Sequence, residues 1–178
     1  NKNNVPEDII LDWCTQICLA LTHIHKKKII HRDLKPQNLF LSGHGIIKIG
    51  DFGISKSLFF ANQQAQTVVG TPLYMAPEII EAKKYQFSVD MWSLGVILYE
   101  LMALASPFYS ESDASVYAKI MMGKYPPLPD YYSKDLRNIV SSLLQLEPEQ
   151  RPKSTDILKN PIIIARVTKR LKEINFNL

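Results

Sequence analysis

Residues 31–38, His-Arg-Asp-Leu-Lys-Pro-Gln-Asn, limit what this chain can become more than any other stretch. A charged, proline-containing segment sits there between two apolar runs, Ile29-Ile30 and Leu39-Phe40-Leu41. A further run, Ile46-Ile47-Lys48-Ile49, follows the turn residues Ser42-Gly43-His44-Gly45 and leads directly into Gly50-Asp51-Phe52-Gly53. Two short strands joined by a turn are expected. Such a hairpin brings Asp33, Asn38 and Asp51 to neighbouring strand ends, where polar groups converge on a cleft without entering the core. Downstream, Ala76-Pro77-Glu78 closes the segment.

These residue types match one chemistry. Phosphoryl transfer needs a carboxylate to orient the attacking hydroxyl, cations to absorb phosphate charge and hard oxygen ligands for magnesium. In this order and spacing the three motifs resemble the catalytic core of a eukaryotic Ser/Thr protein kinase, and the match spans nearly the whole chain as the large, C-terminal lobe. The resemblance implies ATP and Mg2+ as cofactors and proteins as substrates. It implies Asp33 as catalytic aspartate, Lys35 as the lysine steadying the transferred phosphate, and Asn38 and Asp51 as metal ligands. Phe40 falls where a large apolar side chain packs beneath adenine; plain core packing is its other reading.

Residues 55–69 are polar and aperiodic, as expected of a mobile loop, and by resemblance residues 51–78 form an activation segment. Thr67 lies where many kinases carry a phosphorylatable threonine, with Ser55 and Ser57 as weaker candidates. A phosphate on Thr67 would pair bidentately with Arg32 and tie the loop to the catalytic loop. Thr71 resembles the threonine that bridges the catalytic aspartate and lysine beside the acceptor residue. With Lys35 in Asp-Leu-Lys-Pro, it implies serine or threonine as acceptor, and the β-branched Ile54 favours threonine.

The remaining pattern is helical. Residues 6–25 repeat apolar side chains at helical spacing, with Pro6 suited to the first helical position, Glu7 and Asp8 at the positive end of the dipole and a solvated lysine run, 26–28, at the negative end. Cys14 and Cys18 fall on the apolar face of that helix. Zinc ligands converge from loops or separate elements, so these are read as buried, reduced thiols. Residues 88–103 are apolar nearly all round, which marks the buried centre of the lobe. Asp90 at its start needs donors; by resemblance these are backbone groups around His31 and Arg32, while Glu78 and Arg151 pair. Helices are expected near 112–122, 133–146 and 155–159. A last, basic helix or linker start over 162–178 points Ile163, Val167, Leu171 and Ile174 inward, and Arg166, Lys169, Arg170 and Lys172 outward.

The chain has 178 residues and a formal net charge of +4, enough to bury about 70% of its unfolded surface around one core. Its basic residues are scattered, so nucleic acid is not an expected partner, and no apolar run approaches the roughly 18 residues of a membrane span. The expected fold is mainly α with a small β-hairpin. Residues 1–161 are assigned to the kinase C-lobe. A glycine-rich loop, a strand lysine and a helix glutamate cannot be located before the helix that begins at Pro6, so the small N-lobe is expected to be absent and this chain alone to be inactive or nearly so. Residues 33–41, 50–55 and 69–78 look most like the never-in-mitosis-A related kinases, chiefly through Phe40 and Gly50, with a slight departure at Leu73. That resemblance implies roles in cilia, microtubules or cell-cycle timing and a cytoplasmic protein associated with cytoskeleton or nucleus. A pseudokinase or scaffold binding protein is the alternative; intact Asp33, Lys35, Asn38 and Asp51 oppose it.

Overall fold

A helix whose every face is apolar has no surface to offer water and must be enclosed by others. Ser88–Ala103, called α3, is that helix: its residues from Val89 to Tyr99 are buried without interruption. The computed structural model describes residues 4–43, 45–51 and 72–175. Around α3 it arranges α1 (Glu7–Lys26), the strands β1 (Leu39–Leu41) and β2 (Ile47–Ile49), and a short α2 (Pro77–Ile80). Helices α4 (Asp113–Met122), α5 (Lys134–Leu143), α6 (Ser154–Leu158) and α7 (Pro161–Asn175) follow, with short 3-10 turns at Pro36–Asn38, Pro72–Tyr74 and Pro148–Gln150. Among the described residues the fold is therefore mainly helical with one two-stranded sheet.

Helix α1 packs its Ile10, Cys14, Ile17, Cys18 and Leu21 stripe into the core and contacts α3, α6 and α7. Pro6 is its N-cap rather than its first helical residue, a shift of one position. Both cysteines are buried and free, and among the described residues no cluster of ligands for a metal forms. The Cys14 thiol beside Cys18, together with burial, pushes the Cys18 thiol well above its usual range, which keeps it inert.

On its other side α3 meets α5 at close range. A Cβ on Gly95 would stand 2.9 Å from Leu143 Cβ and from a Leu144 methyl, so glycine sets that helix separation. Helices α4 and α5 begin on Ser112 and Ser133, whose hydroxyls accept from the Ser115 and Leu136 amides. Tyr132 ties α5 back to α1, donating to Val5 O at 2.9 Å, and burial pushes its hydroxyl up to about 12.

Helix α7 packs on α1 and α6, with Ile163 buried. Two of its residues depart from the sequence expectation. Arg166 points inward, its Nε and Nη2 donating to the two Asp12 oxygens at 3.0 and 2.8 Å. Asp12 lies on the buried face of α1 and a desolvated carboxylate requires a cation, which overrides the helical pattern that placed Arg166 outside. Leu171, expected inside, is exposed.

Glu78 and Arg151 pair as expected. The guanidinium donates from Nη1 and Nη2 to the two carboxylate oxygens at 2.7 and 2.8 Å, reaches the carbonyls of Gln145, Ser88 and Leu146, and lies 5.0 Å from the centre of the Trp92 ring. This holds the start of α2 to the segment before α6. Replacing Arg151 by leucine should cost about 3–5 kcal/mol in urea unfolding, because Glu78 would be left charged and buried; a loss below about 1 kcal/mol would contradict this account of the pair.

Candidate active site

The hairpin is stapled to α1 by Gln16, which donates to Gly45 O at 3.1 Å and accepts from Ile47 N at 2.9 Å. Its register pairs Leu39 with Ile49 and Leu41 with Ile47, and Gly50 N continues the ladder to Asn38 O at 2.9 Å. Gly50 is held from its other end too, since His31 Nε2 donates to Gly50 O at 3.0 Å. Asp51, the next residue, is thereby fixed beside Asn38, with a left-handed φ of 56°. The hydrogen bonds on both sides of Gly50 over-determine the backbone leading into Asp51, the condition under which a left-handed residue other than glycine persists.

Asp33 and Asn38 come together directly. Asn38 Nδ2 donates to the Asp33 backbone oxygen at 2.7 Å and to its Oδ2 at 3.0 Å, and Lys35 Nζ lies 2.7 Å from the same Oδ2. The Asn38 donors are thus turned toward Asp33, while its Oδ1 accepts from no group among the described residues. Asp33 keeps 28% of its side chain accessible, so the carboxylate is oriented and still reachable. An ion pair this exposed adds little stability; its effect is positional.

Phe40 is 57% exposed, which excludes plain core packing. Its ring lies across Gly50, where an added Cβ would stand 2.5 Å from a ring carbon. The phenyl and the glycine that carried the subfamily resemblance are therefore one contact.

The loop itself hangs from α3. Asp90 Oδ2 accepts from His31 N at 3.0 Å and Oδ1 from Arg32 N at 2.9 Å, the donors the sequence implied. A third donor was not anticipated: His25 Nε2, at 2.7 Å from Oδ2. Nothing in the sequence spacing links His25 to a carboxylate 65 positions away. Arg32 also adopts a left-handed φ, 71°, and its guanidinium lies 5.2 Å from the Tyr85 ring centre. Its Nε and Nη2 are buried without a hydrogen-bond acceptor among the described residues.

Below the site, Tyr74 donates to Glu100 Oε2 at 2.7 Å and Ser93 Oγ donates to Tyr74 O at 2.8 Å, anchoring the 72–76 segment to α3. Burial holds the Glu100 carboxyl above its usual range, against the pull of the Tyr74 hydrogen bond. Phe52, Gly53, Ile54, Ser55, Ser57, Thr67 and Thr71 lie outside the described residues.

The donor set suits magnesium. Magnesium is ordinarily held by one or two carboxylates plus substrate phosphates rather than by a protein cage. Asn38 and Asp51 offer hard oxygen just outside the paired ends of β1 and β2.

The protein kinase domain family matches residues 1–163. The chain belongs to the protein kinase family. Its relatives include the probable serine/threonine-protein kinase nek3 of Dictyostelium discoideum, 47% identical over 95% of this chain and 15% of the relative. Serine/threonine-protein kinase Nek1 of Mus musculus is 45% identical over 93% and 14%, and nekl-2 of Caenorhabditis elegans 43% over 89% and 44%. This kinase chain is thus similar to never-in-mitosis-related kinases, and it spans less than half the length of each of these three curated relatives.

Asp90→Asn should loosen the loop that begins at His31. An amide Oδ1 can serve one backbone donor, while its NH2 faces a second, so we expect a loss of about 1–3 kcal/mol in urea unfolding. Unchanged stability would show that the loop is held by other contacts.

Proposed function

We propose that the protein transfers the γ-phosphate of ATP to serine or threonine hydroxyls of other proteins. The observation that carries this is the arrangement at Asp33, whose carboxylate is fixed by Asn38 Nδ2 and Lys35 Nζ yet remains accessible. Asp33 would accept the hydrogen of the attacking hydroxyl and hold its oxygen in line. Lys35, on the same carboxylate oxygen, would face the negative charge of the transferred group. Asn38 Oδ1 and Asp51 would hold magnesium, which when bound supplies charge neutralisation to the phosphates. The exposed Phe40 ring offers an apolar floor for adenine, and a threonine at position 71 would shape the acceptor pocket. The cytoplasm, with a cytoskeletal or nuclear association, is the proposed place of action.

A regulatory step is part of the same proposal. A buried guanidinium short of acceptors is costly, and an anion that completes it recovers the cost. Arg32 is in that condition, braced on Tyr85. Phosphate on Thr67 would supply the acceptors and draw the activation segment onto the catalytic loop.

The test is phosphorylation of Ser/Thr peptides by the full-length protein with ATP and magnesium. Asp51→Asn should abolish transfer, and Asp33→Asn should lower turnover by at least about 100-fold with a smaller change in nucleotide affinity. Near-parental turnover in either variant would end the assignment. Thr67→Ala should lower basal turnover; an unchanged rate, with no phosphate at Thr67 in mass spectra of the parent, would refute the regulatory step.

A further inference from the structure

The end of α1, the connection into α3 and the 148–155 segment leading into α6 enclose a cleft of about 570 Å3 on the side of the lobe. Lys26 and Lys28 reach its rim from the first element, Lys84 from the second and Lys153 from the third. All four are exposed and none enters an ion pair among the described residues, although the Asp156 carboxylate accepts from the Lys153 backbone amide at 3.0 Å. Glu149 is the one carboxylate among the described residues that line it. A solvated basic face normally lies on one convex helix; here lysines from three elements converge on a concavity. Phe87, Met91, Pro148 and Pro152 also line it, adding apolar surface between the charges.

We propose that this cleft is a docking site for an acidic segment of a partner protein. Four separate ammonium groups around one groove suit several carboxylates spread along a chain better than a single phosphate dianion, for which a planar guanidinium fork is the stronger partner. The one arginine in the wall, Arg151, has its fork committed to Glu78. Apolar lining gives the leucine or similar residues of such a segment a place to bury, which a nucleic-acid backbone would not use. The cleft wall also contains His25, the donor to Asp90, and Tyr85, the brace of Arg32, so the docked segment lies behind the catalytic loop and clear of the Asp33 carboxylate.

The site is independent of phosphoryl transfer, and its test reads binding alone. A fluorescein-labelled Asp/Glu-rich peptide with isolated leucines is titrated against the protein by fluorescence polarisation, beside its Asn/Gln counterpart and an oligothymidylate of equal charge. Saturable binding of the acidic peptide is expected, weakening as salt rises and exceeding that of both comparison probes. The double variant Lys26→Glu/Lys84→Glu should weaken it at least tenfold, as should Lys84→Glu/Lys153→Glu, while Lys134→Glu/Lys159→Glu, neither of which lines the cleft, leaves it within twofold. All three pairs should melt as the parent does. Absence of binding, equal binding of the oligothymidylate, or equal affinity in the cleft variants and the parent would each overturn the proposal.

Discussion

A carboxylate with almost no access to water sits at the start of the most buried helix of this kinase, and the site depends on how it is satisfied. Asp90 takes the backbone N–H groups of His31 and Arg32 and the imidazole of His25. Left alone in such an environment, an ionised carboxylate would cost several kcal/mol. With three donors it becomes a joint. One end of the loop is thereby referred to α3, while Asn38 refers its other end to the hairpin through Gly50. Asp33, between the two, is held by anchors on separate elements.

A second ionic joint acts farther along. Glu78 and Arg151 exclude water and leave none of the arginine's principal donors unused, so the start of α2 is fixed to the region ahead of α6. Buried ion pairs contribute little net stability compared with apolar packing of the same volume, but they penalise every arrangement that separates the partners. In this lobe they therefore act on geometry. The Asp12–Arg166 pair extends the same logic to α7, turning an arginine toward the core of a helix whose outer face is basic.

How much of this was legible in sequence varies with the range of the interaction. Asp33, Lys35 and Asn38 lie within six positions, so a tight loop forces them together whatever the rest of the chain does. The hairpin strands could be read from two short apolar runs and a glycine-containing turn, and α3 from its nearly unbroken apolar surface. Asp90 was recognisable as a residue in need of donors, and family resemblance supplied two of them. His25 was not recognisable, because nothing in a helical pattern distinguishes a histidine that meets a distant carboxylate from one that meets water. The contact between Phe40 and Gly50 was visible only as two separate oddities of composition.

By itself the sequence determined the local chemistry: which oxygens and cations are close neighbours, which segments are helical, and where a buried charge demands a partner. Those follow from spacing and desolvation, which act over a few residues. Tertiary structure alone decided which partner answers each demand: His25 for Asp90, Arg166 for Asp12, Tyr85 beneath Arg32, and the convergence of lysines from three elements on one cleft. The physical reason is that such pairings depend on how helices cross, and crossing is set by side-chain volumes such as the missing methyl at Gly95, summed over the whole core.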